Sequence, residues 1–109
     1  MTHLHTWAKR STFSYEGSVK TGTKITFGKG FSVKVNAEDY SSLLSHFRGQ
    51  VVNIGTSRTT PPSGSVGEWF LCNVMKTNMA SYIGPILINE GYAEKISGPD
   101  IHFLSDAEN

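Results

Sequence analysis

With one cysteine, Cys72, the chain cannot form an intramolecular disulfide, and it lacks the Cys/His pairs of a structural zinc site. Long apolar runs are also missing: none approaches the roughly 20 residues that cross a bilayer. The opening Met1-Thr-His-Leu-His-Thr-Trp7 has no apolar centre of the kind a secretory signal needs. The expectation is a cytoplasmic protein with no membrane-embedded part. Charge is sparse as well. A charged fraction of 17% with an aromatic share of 11% argues against intrinsic disorder, which goes with few aromatics and high net charge. The histidines are scattered: His3 and His5 fall in a stretch that reads as frayed, His46 on a helix and His102 on a strand, with no metal-ligand spacing. No Ser/His/Asp set or carboxylate pair is placed so that one residue demands another. No catalytic residue, metal or cofactor is therefore predicted, and catalysis is not expected.

What is present fits a single domain spanning 1–109 that is stabilised by packing. The net charge of +1 hides an asymmetry. Residues 1–60 carry 8 Lys/Arg against Glu16, Glu38 and Asp39, a balance of +5, whereas residues 61–109 carry Lys76 and Lys95 against 6 acids, a balance of −4. Such polarity suits a nucleic-acid face on the basic half. It equally suits contact between copies, as in a homodimer or larger homo-oligomer, or with a protein partner.

The N-terminal part, 12–54, reads as strand, hairpin, helix and strand. Thr12-Phe-Ser-Tyr-Glu-Gly17 alternates and stops at glycine. Ile25 and Phe27, then Phe31, Val33 and Val35, alternate with polar residues on either side of Gly28-Lys-Gly30, the pattern of a β-hairpin with one apolar face. By that alternation Phe27 and Phe31 point to the core. The other face shows Lys24 and Lys34, with Lys29 at the tip. Asn36 can cap a helix whose Tyr40, Leu43, Leu44 and Phe47 share one face and which stops at Gly49. Residues 50–54 are β-branched at their centre and read as a strand of the same N-terminal core. The segment 55–65, Gly-Thr-Ser-Arg-Thr-Thr-Pro-Pro-Ser-Gly-Ser, cannot hold regular structure and reads as a loop.

Beyond it, Ser65-Val-Gly-Glu68 matches a capping box, with Val66, Trp69, Phe70 and Val74 as the apolar face of the helix it opens. Within this helix Cys72 reads as a buried structural thiol. A second helix is expected from Lys76 or Thr77, with Met79, Ile83, Ile86 and Leu87 as its stripe and the ending Leu87-Ile-Asn-Glu-Gly91. Residues 92–96 and 101–104 around Ser97-Gly-Pro-Asp100 then form a closing hairpin. In this order of elements, 65–104 resembles the winged helix-turn-helix superfamily. The fold expected is α+β, an N-terminal β-hairpin, helix and strand packed on a C-terminal winged-helix-like part.

The resemblance implies that the second helix enters the major groove of double-stranded DNA with its N-terminal side chains on base edges. That role falls on Lys76, Thr77, Asn78 and Ser81, with Tyr82 beside them, and the hairpin face of Lys24, Lys29 and Lys34 could follow phosphates. Pro85 predicts a kink unless the helix begins nearer to it. The acidic balance of this half, with Glu94 and Asp100 against Lys95 in the wing, makes the other use of such modules, protein contact, as strong an expectation as DNA contact. The 55–65 loop adds a small-ligand or anion site of Thr56, Ser57, Arg58 and Thr59 just before a helix N-terminus. The leading expectation is a small regulatory nucleic-acid-binding protein; the alternatives are a protein-interaction or self-assembly module without DNA binding and a small-ligand or anion-binding protein acting through the 55–65 loop.

Overall fold

The computed structural model describes residues 1–105. Alternation carries the N-terminal part into a four-stranded antiparallel meander, β1 (Thr2–His5), β2 (Thr12–Ser18), β3 (Gly22–Phe27) and β4 (Phe31–Val35), in that spatial order. β1 lies where the sequence reads as frayed. Its Leu4 faces Phe13 and its His5 faces Thr12, so pairing with β2 supplies the order that the local sequence does not. Phe13, Tyr15, Ile25 and Val35 are buried on the inner face. The outer face is polar, with Lys24 opposite both Glu16 and Lys34. The β2–β3 turn is close: a Cβ on Gly17, at φ +88°, would collide with the Gly22 carbonyl.

Helix α1 (Ala37–Phe47) starts where the acids favour it, the Asp39 carboxylate accepting from the Asn36 N–H at 3.2 Å. Its buried face reaches two ways. Tyr40 and Thr23 share a hydroxyl hydrogen bond at 2.7 Å, and the Phe47 ring stacks on Phe103 at 5.2 Å.

The strand β5 (Val51–Asn53) pairs away from the N-terminal sheet. It lies against β7 (Asp100–Phe103), which also pairs with β6 (Ala93–Lys95), giving the sheet order β5-β7-β6. The 55–65 segment therefore connects β5 to α2 (Val66–Asn73) inside one packed unit. At the start of α2, Ser65 Oγ accepts from the Glu68 N–H at 3.1 Å, and the Glu68 carboxylate reaches Gly64 N at 2.8 Å, one residue short of the expected partner. Cys72, expected inside, is exposed: it follows the half-buried Leu71 on the side of α2 turned away from Val66 and Phe70.

Helix α3 (Ala80–Asn89) begins three or four residues later than the expected Thr77 or Lys76, where the Asn78 side-chain oxygen accepts from Ala80 N at 2.9 Å. Pro85 sits inside it without breaking it. The N–H that proline lacks would have gone to the Ser81 carbonyl. That carbonyl instead accepts the backbone N–H of Trp7 at 2.9 Å. Proline thus leaves an acceptor available to the segment that follows β1.

The result is an α+β fold in which the inner face of the first sheet covers α3. Phe13 meets the Tyr82 ring edge-on at 5.1 Å, and Asn89 donates to the Tyr15 hydroxyl at 3.1 Å. Glu90, just past α3, accepts from Tyr15 Oη at 2.7 Å and from Val19 N at 2.9 Å. Among the described residues no helix is long and apolar enough to cross a membrane, and no buried side-chain nitrogen or oxygen lacks a partner.

Candidate functional site

The loop 55–65 and the N-terminal end of α3 are separate in sequence but meet in space. Asn78 makes the junction: its amide nitrogen donates to the carbonyls of Gly55 and Ser57, each at 2.8 Å. The loop is further pinned by Gly67 N donating to the Ile54 carbonyl at 2.9 Å, an approach so close that a Cβ on Gly67 would overlap the Gly55 carbonyl. The cleft this creates has a volume of about 390 Å³ and is lined by Thr56, Arg58, Lys76, Thr77, Ser81 and Tyr82, among others.

Phe27 and Tyr82 form one wall, their ring centroids 4.8 Å apart and their planes 30° apart. The cleft continues past these rings and Arg58 toward the hairpin tip, where Phe31 and Gly28 line the next stretch with Ser11 and Thr12. Here the expectation from alternation fails. Phe31 is 66% exposed and Phe27 only half-buried. Both lie on the apolar face of the hairpin, but at its distal end, where the sheet overhangs the core. Their contact with each other, at 6.2 Å and 30°, extends the aromatic wall outward.

Comparison with protein-family models, with curated proteins and with solved structures returned no match. The site therefore rests on its own geometry.

Of the residues singled out in the sequence, Lys76, Thr77, Asn78, Ser81, Thr56 and Arg58 line this cleft. Their roles differ from the expected ones. Asn78 is occupied by the loop carbonyls and by Ala80, leaving its amide engaged in holding the fold. Ser57 turns its hydroxyl to Thr60, at 3.1 Å from Thr60 N, and Thr59 is exposed outside the cleft. The N-terminal amides of α2, expected to receive an anion, already donate within the protein: Gly67 to Ile54 and Glu68 to Ser65. Lys24 and Lys34 stand on the outer face of the sheet, directly opposite each other, away from the cleft. Lys29 occupies the hairpin tip beside Gly28.

Sequence reasoning missed the aromatic wall and the covering of α3. Ser81, Tyr82, Pro85 and Asn89 make the face of α3 turned away from the C-terminal core, and that is where β1 and β2 lie. The hairpin that would be the wing is engaged too. Lys95 Nζ donates to the Trp7 carbonyl at 3.2 Å and lies 4.7 Å over the Trp7 ring.

Proposed function

We propose that this chain is a small nucleic-acid-binding protein that makes contact through the cleft between the 55–65 loop, the start of α3 and the β3–β4 hairpin. The observation that carries this reading is the convergence of Arg58 and Lys76 with the hydroxyls of Thr56, Thr77 and Ser81 beside two aromatic rings. Guanidinium and ammonium groups neutralise phosphates, and hydroxyls donate to phosphate oxygens. Helix, turn, helix and hairpin follow one another in the order on which the winged-helix resemblance rests, which supports a distant relation to that superfamily. The mode of contact differs from that superfamily's, because the outer face of α3 lies under the N-terminal sheet.

Fluorescence anisotropy with labelled oligonucleotides of mixed sequence tests the proposal at low ionic strength, where the phosphate contribution is largest. Binding should weaken steadily with salt, and Arg58→Ala and Lys76→Ala should each reduce the log–log salt slope by about 0.7–1. Absence of binding to any nucleic acid at low salt overturns the reading.

A second reading, self-assembly, has one observation in its favour. β5 is an edge strand of its sheet and carries Val51 at 56% exposure, a surface that a second copy could cover. Light scattering that reports a monomer at every concentration would remove it.

A further inference from the structure

We infer that the ligand of this cleft is a single strand of nucleic acid, its bases stacked outward from Phe31 at the open end of the aromatic wall that Phe27 and Tyr82 form, and its backbone followed by Arg58 and Lys76. This rests on the nucleic-acid reading above and narrows it. Reading a duplex requires an element that projects into a groove about 12 Å wide. α3 does not project: Trp7, Phe13 and Tyr15 lie against its outer face. The closing hairpin offers no substitute, since its Lys95 is held on Trp7.

What the surface does present is a run of three rings at successive tilts of 30°, with centroid separations of 6.2 and 4.8 Å. The run is half-buried at Tyr82, where Phe13 packs edge-on against it, and open at Phe31, which is exposed. Bases stack on such rings whatever their identity, because each base has a π-face. A duplex keeps its bases paired inside, so this arrangement is wasted on it.

The charges decide between a strand and an apolar peptide. The two stretches of cleft share Phe27, Arg58 and Tyr82, so a cation stands beside the rings along their length. Among the described residues no carboxylate lines either stretch. Lys29 follows Gly28 at the exposed hairpin tip, outside the lining of the cleft itself. Rings beside cations along one groove are the combination that follows an unpaired strand.

The experiment is an anisotropy titration of the full chain with a fluorescein-labelled oligothymidylate and with a mixed-sequence duplex of equal length. The single strand should bind at least about tenfold tighter than the duplex, and Phe31→Ala should weaken it by about tenfold or more, the loss expected for one stacked base. Phe31→Tyr should restore binding, and Ile96→Ala, an exposed apolar change in the closing hairpin, should leave it unaltered. Equal or tighter duplex binding, or a Phe31→Ala variant that binds the single strand normally, overturns this inference while leaving nucleic-acid binding in place. Failure of both probes at low salt overturns the broader proposal with it.

Discussion

Trp7 joins three parts of the molecule through one side chain and its own backbone. Its N–H satisfies Ser81, its indole nitrogen donates to the Gly98 carbonyl at 3.2 Å, and its ring fills the space left by Gly84. A Cβ at Gly84 would lie 2.7 Å from the Trp7 ring and 2.9 Å from Ile54, so the glycine is required by contact. Trp7→Ala should lower stability by about 3–5 kcal/mol, a large share of the roughly 5–15 kcal/mol typical of a small domain. Trp7→Phe, which keeps an apolar ring and loses the bond to Gly98, should lose less. Urea titration followed by circular dichroism separates the two.

The buried tyrosines give a pH dependence at the same scale. Burial raises the Tyr40 phenol well above its ordinary value, with the Thr23 hydrogen bond opposing only in part. Burial also raises Tyr15, helped by the Glu90 carboxylate, which accepts a hydrogen bond from its hydroxyl. A phenol whose folded value exceeds its unfolded value keeps its proton in the native state while the unfolded chain loses it. Its stabilising effect is therefore complete below about pH 10 and declines as pH rises above that point. Urea midpoints should fall from about pH 10 upward, and Tyr40→Phe should flatten that decline.

At the scale of elements, what was legible in the sequence was what depends on neighbours along the chain. Alternation located β3 and β4, the spacing of Tyr40, Leu43 and Phe47 located α1, and Ser65 with Glu68 located the start of α2. β1 was not legible, because His3 to His5 gain their order from residues about ten positions away. Phe31 shows a subtler limit: alternation gives the face of a strand but not how far the core extends beneath it. The start of α3 was misplaced because Asn78, ahead of the helix, accepts from Ala80 N while its amide holds the distant Gly55 and Ser57. The junction of α3 with the first sheet yields a test. In Glu90→Ala neither carboxylate oxygen remains, so the Tyr15 hydroxyl and the Val19 N–H both lose their acceptor. The expected loss is about 1–3 kcal/mol, with faster hydrogen exchange at the Val19 amide. Unchanged exchange there would mean that Glu90 does not hold the sheet on α3.

For the molecule as a whole, the basic and acidic halves do not form two opposed lobes. They interlock: Glu90 of the acidic half receives Tyr15 and Val19, Lys95 rests on Trp7, and β5 from the basic half joins the C-terminal sheet. None of these contacts follows from local sequence, and together they decide how a helix-turn-helix order can be used. Where the second helix is free to enter a groove, base contacts make a specific site about 10³–10⁷ times tighter than random duplex. Here the outer face of α3 is under β1 and β2, and the candidate residues left accessible at its N-terminal end, Lys76 and Thr77, sit in a cleft beside Arg58. Repeated selection from a pool of random duplexes should accordingly return no consensus sequence, with the final pool binding no more tightly than the starting one. Emergence of a consensus lost in Ser81→Ala would show that α3 reads bases, which would require the N-terminal sheet to lift away from it.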